Sequence, residues 1–164
     1  MKILVLVRHA TAVPELHDGT LTDHQRFLTP EGNKEALATA KAISDFWTQK
    51  SLMPPSIIAS SATRAKQTAE SIADEFLITS MRLKDSLYSH PKEHWIKIIK
   101  ASDASSNALV MVSHNPVISE LASSYLDRPV NLSPADYIIV QFDGNWADVD
   151  TSPWVLLKSS VVFA

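Results

Sequence analysis

Short apolar runs alternate along the chain with longer stretches in which apolar residues recur every three or four positions. Three runs, at residues 3–7, 56–60 and 108–112, are short and rich in Ile, Val and Leu. Continuous apolar runs of this length are typical of parallel strands that are buried on both faces. We therefore predict three central parallel strands.

Helical periodicity follows each of these strands. Thr29 followed by Pro30 predicts a helix start, because threonine caps helix N-termini and proline is tolerated in the first turn. Ser61 is predicted to cap a second helix, residues 91–100 a third, and Asn115-Pro116 to open a fourth. The resulting order of strands and helices is typical of an α/β fold.

The pattern changes in the C-terminal part of the chain. Residues 137–142, 146–149 and 155–163 predict antiparallel strands at the edge of the sheet, with a turn at Asp143-Gly144. We expect a three-layer α/β sandwich whose central, mostly parallel sheet is flanked by helices. No repeat or linker interrupts the pattern, which predicts one domain over residues 1–164.

The amino-acid composition excludes several classes of function. Hydrophobic residues make up 45% of the 164 positions and charged residues 20%, as in folded globular proteins. The absence of cysteine excludes disulfides and thiolate nucleophiles, and three scattered glycines exclude glycine-rich phosphate loops. The net charge of −3 disfavours nucleic acid as a partner. The first apolar run is too short for a secretory signal or a membrane span, so we expect a cytoplasmic protein without a membrane partner.

Basic side chains follow the three predicted parallel strands. Arg8 and His9 end the first strand, Arg64 lies in the first turn after the second, and His114 follows the third. Ligands of open α/β sheets bind beyond the carboxyl ends of the strands, so these four residues are expected to converge there. Without a carboxylate in the same motifs, the cluster requires an anion to offset its charge.

The residue types indicate that this anion is a phosphoryl group. Arginine forks match phosphate oxygens, and helix N-termini add oriented N–H groups. A neutral imidazole can attack phosphorus, so His9 is the candidate nucleophile, with its other ring nitrogen donating to a carbonyl. His114 is expected to be charged beside the anion and to act as a donor. Arg8 and Arg64 would stabilise the transferring group without a metal.

Several segments resemble the histidine phosphatase superfamily, also called the phosphoglycerate mutase-like superfamily, and most closely its phosphohistidine phosphatase (SixA) branch. The similar segments are Leu6–Ala10, Ser60–Ala69, Val112–Pro116, Arg26–Gly32 and Phe142–Ala147. The resemblance extends over nearly the whole chain.

The resemblance implies specific roles. His9 is expected to carry the phosphoryl group, and Arg8, Arg64 and His114 to form its pocket, with no metal or organic cofactor. Asn115 belongs to the third motif and is a further candidate for substrate binding. Arg26 could either bind substrate or hold the loop at residues 10–29.

One departure from the wider superfamily concerns the proton donor. Many relatives carry a glutamate general acid followed by glycine between the second and third motifs, and this chain does not. Asp85 is the nearest carboxylate there, and Asp18 and Glu120 are candidates only by position. An imidazole leaving group departs readily because its pKa is about 6.5, so a phosphohistidine substrate reduces the need for an enzyme acid.

These features favour a phosphohistidine phosphatase whose partner is a phosphohistidine-bearing protein, such as a histidine phosphotransfer domain in signal transduction. The short loop at residues 10–29 leaves the pocket open to such a partner. Three alternatives stay open: a small-molecule phosphomonoesterase, a non-catalytic phosphate-binding protein, and a metal-dependent hydrolase using His90 and His94. His17 and His24 are expected at the surface, the alternative being that they rim the pocket. The sequence does not specify the oligomeric state.

Overall fold

A computed structural model describes residues 1–163, which form one six-stranded sheet between two layers of helices. The strands are β1 (Lys2–Arg8), β2 (Ser56–Ser60), β3 (Arg82–Lys84), β4 (Ala108–Ser113), β5 (Tyr137–Phe142) and β6 (Val155–Ser159). The α-helices are α1 (Pro30–Lys50), α2 (Thr63–Glu75), α3 (Ser86–Ser89), α4 (Lys92–Lys100) and α5 (Val117–Leu126).

The sheet has the order β3-β2-β4-β1-β5-β6. Strands β3, β2, β4 and β1 are parallel, whereas β5 and β6 are antiparallel to their neighbours. The predicted mostly parallel sheet with antiparallel strands near the C-terminus is therefore confirmed. The carboxyl ends of β1, β2 and β4 lie at one edge of the sheet, and this edge carries the site.

Two apolar clusters cover the two faces of the sheet. Helices α1 and α2 pack on one face, and α3, α4 and α5 pack on the other. Strand β4 is buried along its whole length, as is β1 up to Val7, because side chains from both faces meet a helical layer. The predicted three-layer sandwich is confirmed.

The start of α1 ties this helix to the loop that follows β1. Thr29 Oγ1 accepts a 2.9 Å hydrogen bond from the Gly32 amide, which confirms the predicted cap. A Cβ atom at Gly32 would overlap the Thr11 carbonyl, so glycine permits the helix to approach this backbone closely. The loop after His9 is thereby held against the first turn of α1.

Several predicted elements differ in the structure. Residues 146–149 were expected to form a strand, but Trp146–Asp148 is a 3₁₀ helix, because the side chains of Asn145 and Asp148 each accept a hydrogen bond from the other's backbone. The predicted strand 155–163 ends at Ser159, whose side chain accepts from the Val161 amide in a turn.

The second helix also differs from the expectation. The predicted Ser61 cap is wrong, because α2 begins at Thr63 with Ala62 as its N-cap residue. The short elements β3 and α3 were not predicted. All three residues of β3 are exposed, so this strand lacks an apolar run. Within residues 1–163, no helix has the length and apolar character needed to cross a membrane.

Candidate active site

The carboxyl edge of the sheet brings together the four basic residues predicted from the sequence. Arg8 ends β1, Arg64 lies in the first turn of α2, and His9 and His114 directly follow β1 and β4. The two imidazole rings lie 5.1 Å apart between centroids. His9, Arg64 and His114 are buried, with 8%, 5% and 7% of their surface exposed. Three distant parts of the sequence therefore form one polar pocket.

The ring of His9 is oriented by its own backbone neighbourhood. Its Nδ1 atom lies 2.7 Å from the Ala10 carbonyl oxygen, so Nδ1 carries the proton and donates. The lone pair of Nε2 then faces Arg64, whose Nε–H group donates to it over 3.2 Å. Burial, together with the charges of Arg64 and Arg8, lowers the pKa of His9 to about 4 despite the Ala10 contact. His9 is therefore neutral at physiological pH, with the tautomer that a nucleophile at Nε2 requires.

His114 is held by Ser60, the last residue of β2. Ser60 Oγ accepts a hydrogen bond from the Ala62 amide and lies 2.7 Å from His114 Nε2. The hydroxyl proton is free to donate to Nε2, which places the ring proton on Nδ1. This Nδ1 atom is buried and has no partner among residues 1–163.

The charge of His114 differs from the sequence-based expectation. In the protein alone, burial and the neighbouring His9 and Arg64 lower the pKa of His114 to about 3, although Asp23 opposes this shift. The neutral Nδ1–H tautomer can donate to an oxygen without being charged. A phosphoryl anion in the pocket would favour the charged form.

Arg8 supplies a second unsatisfied donor. Its Nη1 atom donates over 2.8 Å to the Leu132 carbonyl, which fixes the guanidinium. Its Nε–H group is buried without an acceptor among the described residues. Leaving a buried donor unsatisfied costs about 1–3 kcal/mol. Arg8 Nε and His114 Nδ1 therefore favour a ligand that brings several acceptor oxygens into the pocket.

Asp23 is a site residue that the sequence analysis missed. Its Oδ2 atom lies 3.2 Å from Arg64 Nη2 and 2.5 Å from the Tyr88 hydroxyl, and its backbone carbonyl accepts from Arg64 Nη1 over 2.7 Å. Burial disfavours the Asp23 carboxylate, but hydrogen bonds from Tyr88 and Arg26 and the charge of Arg64 outweigh it and lower the pKa of Asp23. Part of the basic charge is thus offset by the protein itself.

Arg26 holds the loop in which Asp23 lies. Its Nε atom donates to the Val13 carbonyl over 2.6 Å, and its Nη1 atom lies 2.9 Å from Asp23 Oδ1. The sequence left two roles open for Arg26, binding substrate or holding the loop. These contacts correspond to the second role. The three-residue spacing from Asp23 to Arg26 is the one sequence signal that could have identified the pair.

Asn115, the other candidate for substrate binding, has its side-chain amide engaged elsewhere. Its Nδ2 atom donates to the Leu132 carbonyl over 2.8 Å, and its Oδ1 atom accepts from Ser119 Oγ over 2.6 Å. The same Leu132 carbonyl accepts from Arg8. Asn115 therefore positions Arg8 through the backbone of Leu132.

The three candidate proton donors are exposed carboxylates. Asp18 accepts hydrogen bonds from Thr20 in an exposed part of the loop, and Asp85 and Glu120 are exposed beside α3 and in α5. His24, expected at the surface, instead lies half-buried, 3.0 Å from Ser61 Oγ and edge-on to Tyr88. Tyr88 in turn lies edge-on to His114. His24 and Tyr88 are thus the titratable groups beside the pocket.

His90 and His94, the two residues considered as metal ligands, lie at the start of α4 and not among the four basic residues of the site. The rings of His90 and His94 are 4.7 Å apart at the start of α4. Within the described part of the chain, no group of three or more His, Asp or Glu side chains is arranged to hold a metal ion.

Comparison with known proteins agrees with this geometry. The model of the histidine phosphatase superfamily (branch 1) matches residues 4–88, which include Arg8, His9 and Arg64. An uncharacterized chloroplastic protein of Arabidopsis thaliana is 29% identical over 153 residues, covering 87% of this chain and 67% of that protein.

Two solved structures share the fold. A candidate phosphohistidine phosphatase SixA from Nakamurella multipartitia is 25% identical, with a TM-score of 0.74 over 99% of this chain and 97% of that one. The protein histidine phosphatase SixA complexed with tungstate is 17% identical, with a TM-score of 0.75 over 96% of this chain and 95% of that one. The second likeness is one of fold.

Proposed function

The chain belongs to the histidine phosphatase superfamily, branch 1, and from this premise we propose that it is a phosphohistidine phosphatase that acts through a phosphohistidine intermediate on His9. Phosphatase chemistry follows from the family. The choice of phosphohistidine as substrate is the proposal, and it is supported by the SixA-type neighbours.

One observation carries the proposal. Close to the neutral ring of His9, Arg8 Nε and His114 Nδ1 are buried donors without acceptors in the described residues. Arg64 contacts His9 Nε2 directly. A tetrahedral phosphoryl group beside Nε2 would offer oxygens to all three donors, which is the arrangement that phosphoryl transfer requires.

In the first step, His9 Nε2 attacks the phosphorus of the substrate. A bond forms between Nε2 and phosphorus, and the bond from phosphorus to the substrate imidazole breaks. The proton stays on His9 Nδ1, and its hydrogen bond to the Ala10 carbonyl stabilises the positive charge that develops on the ring. Arg8 and Arg64 offset the charge of the equatorial oxygens, so the chain's own cations can perform the role that metals have in other phosphatases.

In the second step, water attacks the phosphorus opposite His9. The bond between Nε2 and phosphorus breaks, phosphate leaves, and the water proton passes to solvent or to a neighbouring base. For the first step, solvent protonates the free nitrogen of the substrate ring before the bond breaks, so this ring leaves as a neutral imidazole. No carboxylic acid contacts the leaving-group side in this scheme.

The proposed partner is a protein that presents phosphohistidine on its surface, such as a histidine phosphotransfer domain. The loop at residues 10–29 is held down by Arg26 and by the pairing of Ala12 with Leu28. It therefore adds no covering domain over His9. A protein side chain can approach such a pocket, whereas a small metabolite would be only partly enclosed.

A small-molecule phosphomonoesterase is the second candidate, and one observation favours it. Tyr88 lies edge-on to His114 and His24 lies edge-on to Tyr88, so groups able to protonate an alkoxide are within the site's surroundings. Such a donor would remove the chief argument against alkyl phosphates as substrates.

The test compares both substrates and the intermediate. We expect turnover of a phosphohistidine protein to exceed that of alkyl phosphates in kcat/KM, and rapid acid-free quenching to trap labelled protein in the wild type. The label should resist base, be lost in acid, and be absent from His9→Ala. Faster turnover of alkyl phosphates would favour the second candidate, and equal labelling of His9→Ala would overturn the mechanism.

A further inference from the structure

A groove of about 210 Å³ lies beside the site, between the edge strand β3 and helix α4. Its lining contains four basic side chains and no carboxylate. We call these residues the basic groove: Arg82, Lys84, His94 and Lys97. All four are exposed to solvent.

One end of the basic groove, at Lys84, lies at the sheet edge that carries the site. Lys84 is the last residue of β3 and is paired with Ser60 of the parallel strand β2. Ser60 Oγ contacts His114. Because neighbouring strands are about 5 Å apart, Lys84 lies roughly two strand spacings, about 10 Å, from the end of β4 that carries His114. A protein bound at His9 would pass over the groove.

Both walls of the groove lie on the same face of the sheet. Arg82 and Lys84 are paired with Ile58 and Ser60, whose side chains alternate with that of Ala59. Ile58 belongs to the apolar cluster on the α4 side of the sheet. The side chains of β3 and of α4 therefore form one continuous surface.

The cations of the groove form no close ion pair within the described residues. Among residues 1–163, no carboxylate lies within 4.0 Å of the charged groups of Arg82, Lys84 or Lys97. Arg82 also helps to lower the pKa of Asp103, after the larger effects of hydrogen bonds from Ser105. Like charges placed together repel each other, yet the protein as a whole has a net charge of −3. This local reversal of sign favours a negatively charged partner.

We propose that the basic groove docks an acidic surface segment that flanks the phosphohistidine of the partner protein. This inference rests on the proposed function, because it assigns the partner of that same pocket. The groove is too far from His9 to contact the phosphoryl oxygens themselves. A small phosphorylated molecule held at His9 would not span it, whereas a protein would.

The test uses a purified phosphohistidine protein with acidic residues beside its phosphohistidine, and a version with those residues changed to their amides. The variant Lys84→Glu/Lys97→Glu should lower kcat/KM for the acidic version about tenfold or more at low salt, with the loss shrinking as salt is raised. Turnover of phosphoramidate should change less than twofold. The control Lys34→Glu/Lys50→Glu makes the same charge change on α1, on the opposite face of the sheet.

Three results would overturn the inference. The groove variant could keep full kcat/KM on the acidic protein, it could lose phosphoramidate turnover equally, or it could lose as much on the amide version. Binding of a single-stranded oligonucleotide that depends on Lys84 and Lys97, with unchanged phosphoprotein binding, would assign the groove to nucleic acid instead.

Affinity separates this inference from the proposed function. The dissociation constant of the phosphoprotein is measured with His9→Ala, with and without the groove substitutions. A wild type that binds the protein through the groove but never hydrolyses phosphohistidine would remove the proposed function and keep the docking surface. Hydrolysis of phosphohistidine, with an affinity that the groove substitutions leave unchanged, would keep the proposed function and remove the docking surface.

Discussion

The Nε atom of Arg64 lies 3.2 Å from Nε2 of His9, so the guanidinium donates to the very nitrogen that is proposed to attack phosphorus. The other two nitrogens of Arg64 contact Asp23. A phosphoryl group that bonds to Nε2 must take over the contact with Arg64 Nε. The Nε–H group of Arg64 therefore changes its hydrogen-bond acceptor, from His9 Nε2 to an oxygen of the transferred phosphoryl group. This change requires no large movement of helix α2.

Arg64→Lys should lower kcat about 10²–10³-fold, because lysine keeps the charge but loses the fork that contacts both His9 and Asp23. The measurement is steady-state turnover of phosphoramidate, with Lys66→Ala as a control in the same helix. A variant that keeps more than a third of the wild-type kcat would show that charge alone is sufficient at this position.

Asp23→Asn should separate binding from turnover. Asparagine keeps an oxygen for Arg64 and Tyr88 but removes a negative charge beside the anion site, so tungstate should bind about tenfold more tightly. The guanidinium of Arg64 is held less firmly, and kcat should fall about tenfold.

The matched control is Asp18→Asn, which changes an exposed carboxylate of the same loop that bonds only to Thr20. It should alter neither quantity. Weaker tungstate binding by Asp23→Asn, or a parallel loss in both variants, would contradict the role assigned to Asp23.

Asn115→Ala should act on Arg8 through the backbone. Removing the amide takes one of two donors from the Leu132 carbonyl and removes the acceptor of Ser119 Oγ, which should cost about 1–3 kcal/mol in the free energy of unfolding. Denaturant titration measures this loss. Because Arg8 shares the same carbonyl, KM should rise more than kcat falls. Asn33→Ala, on the exposed side of α1, should leave stability and KM near the wild-type values.

The apolar pattern was sufficient to predict the parallel strands, because β1 and β4 lie in the centre of the sheet and are buried on both faces. Their carboxyl ends then bring Arg8, His9 and His114 to one edge, which topology alone dictates. Elements that lack a run of apolar residues facing the core were not predicted. Strand β3 has three exposed residues, and the 3₁₀ helix at Trp146–Asp148 depends on side-chain capping that alternation does not reveal.

The contribution of Asp23 could not be predicted in the same way. Its place beside Arg64 depends on the path of the loop, and that path is set by contacts of Arg26 with Val13 and of Leu28 with Gln67. Such contacts join residues far apart in sequence, and no periodicity encodes them. The motifs that carry the basic residues contain no carboxylate, and Asp23 reaches Arg64 from the loop instead.

The depressed pKa values of His9 and His114 predict that stability falls in mild acid. In the unfolded chain both rings titrate near pH 6.5, whereas in the folded protein they titrate at about 4 and about 3. Between pH 6.5 and 4 the unfolded state therefore binds more protons than the folded state, so the free energy of unfolding falls as the pH falls. For His9 alone the loss is roughly 3 kcal/mol.

Denaturant titrations of the wild type and of His9→Gln should show a shallower pH dependence in the variant, whereas His17→Gln, in the exposed loop, should follow the wild type. Identical slopes for His9→Gln and the wild type would contradict a neutral, buried His9. Added tungstate should reduce the loss, because the anion favours the charged form of His114.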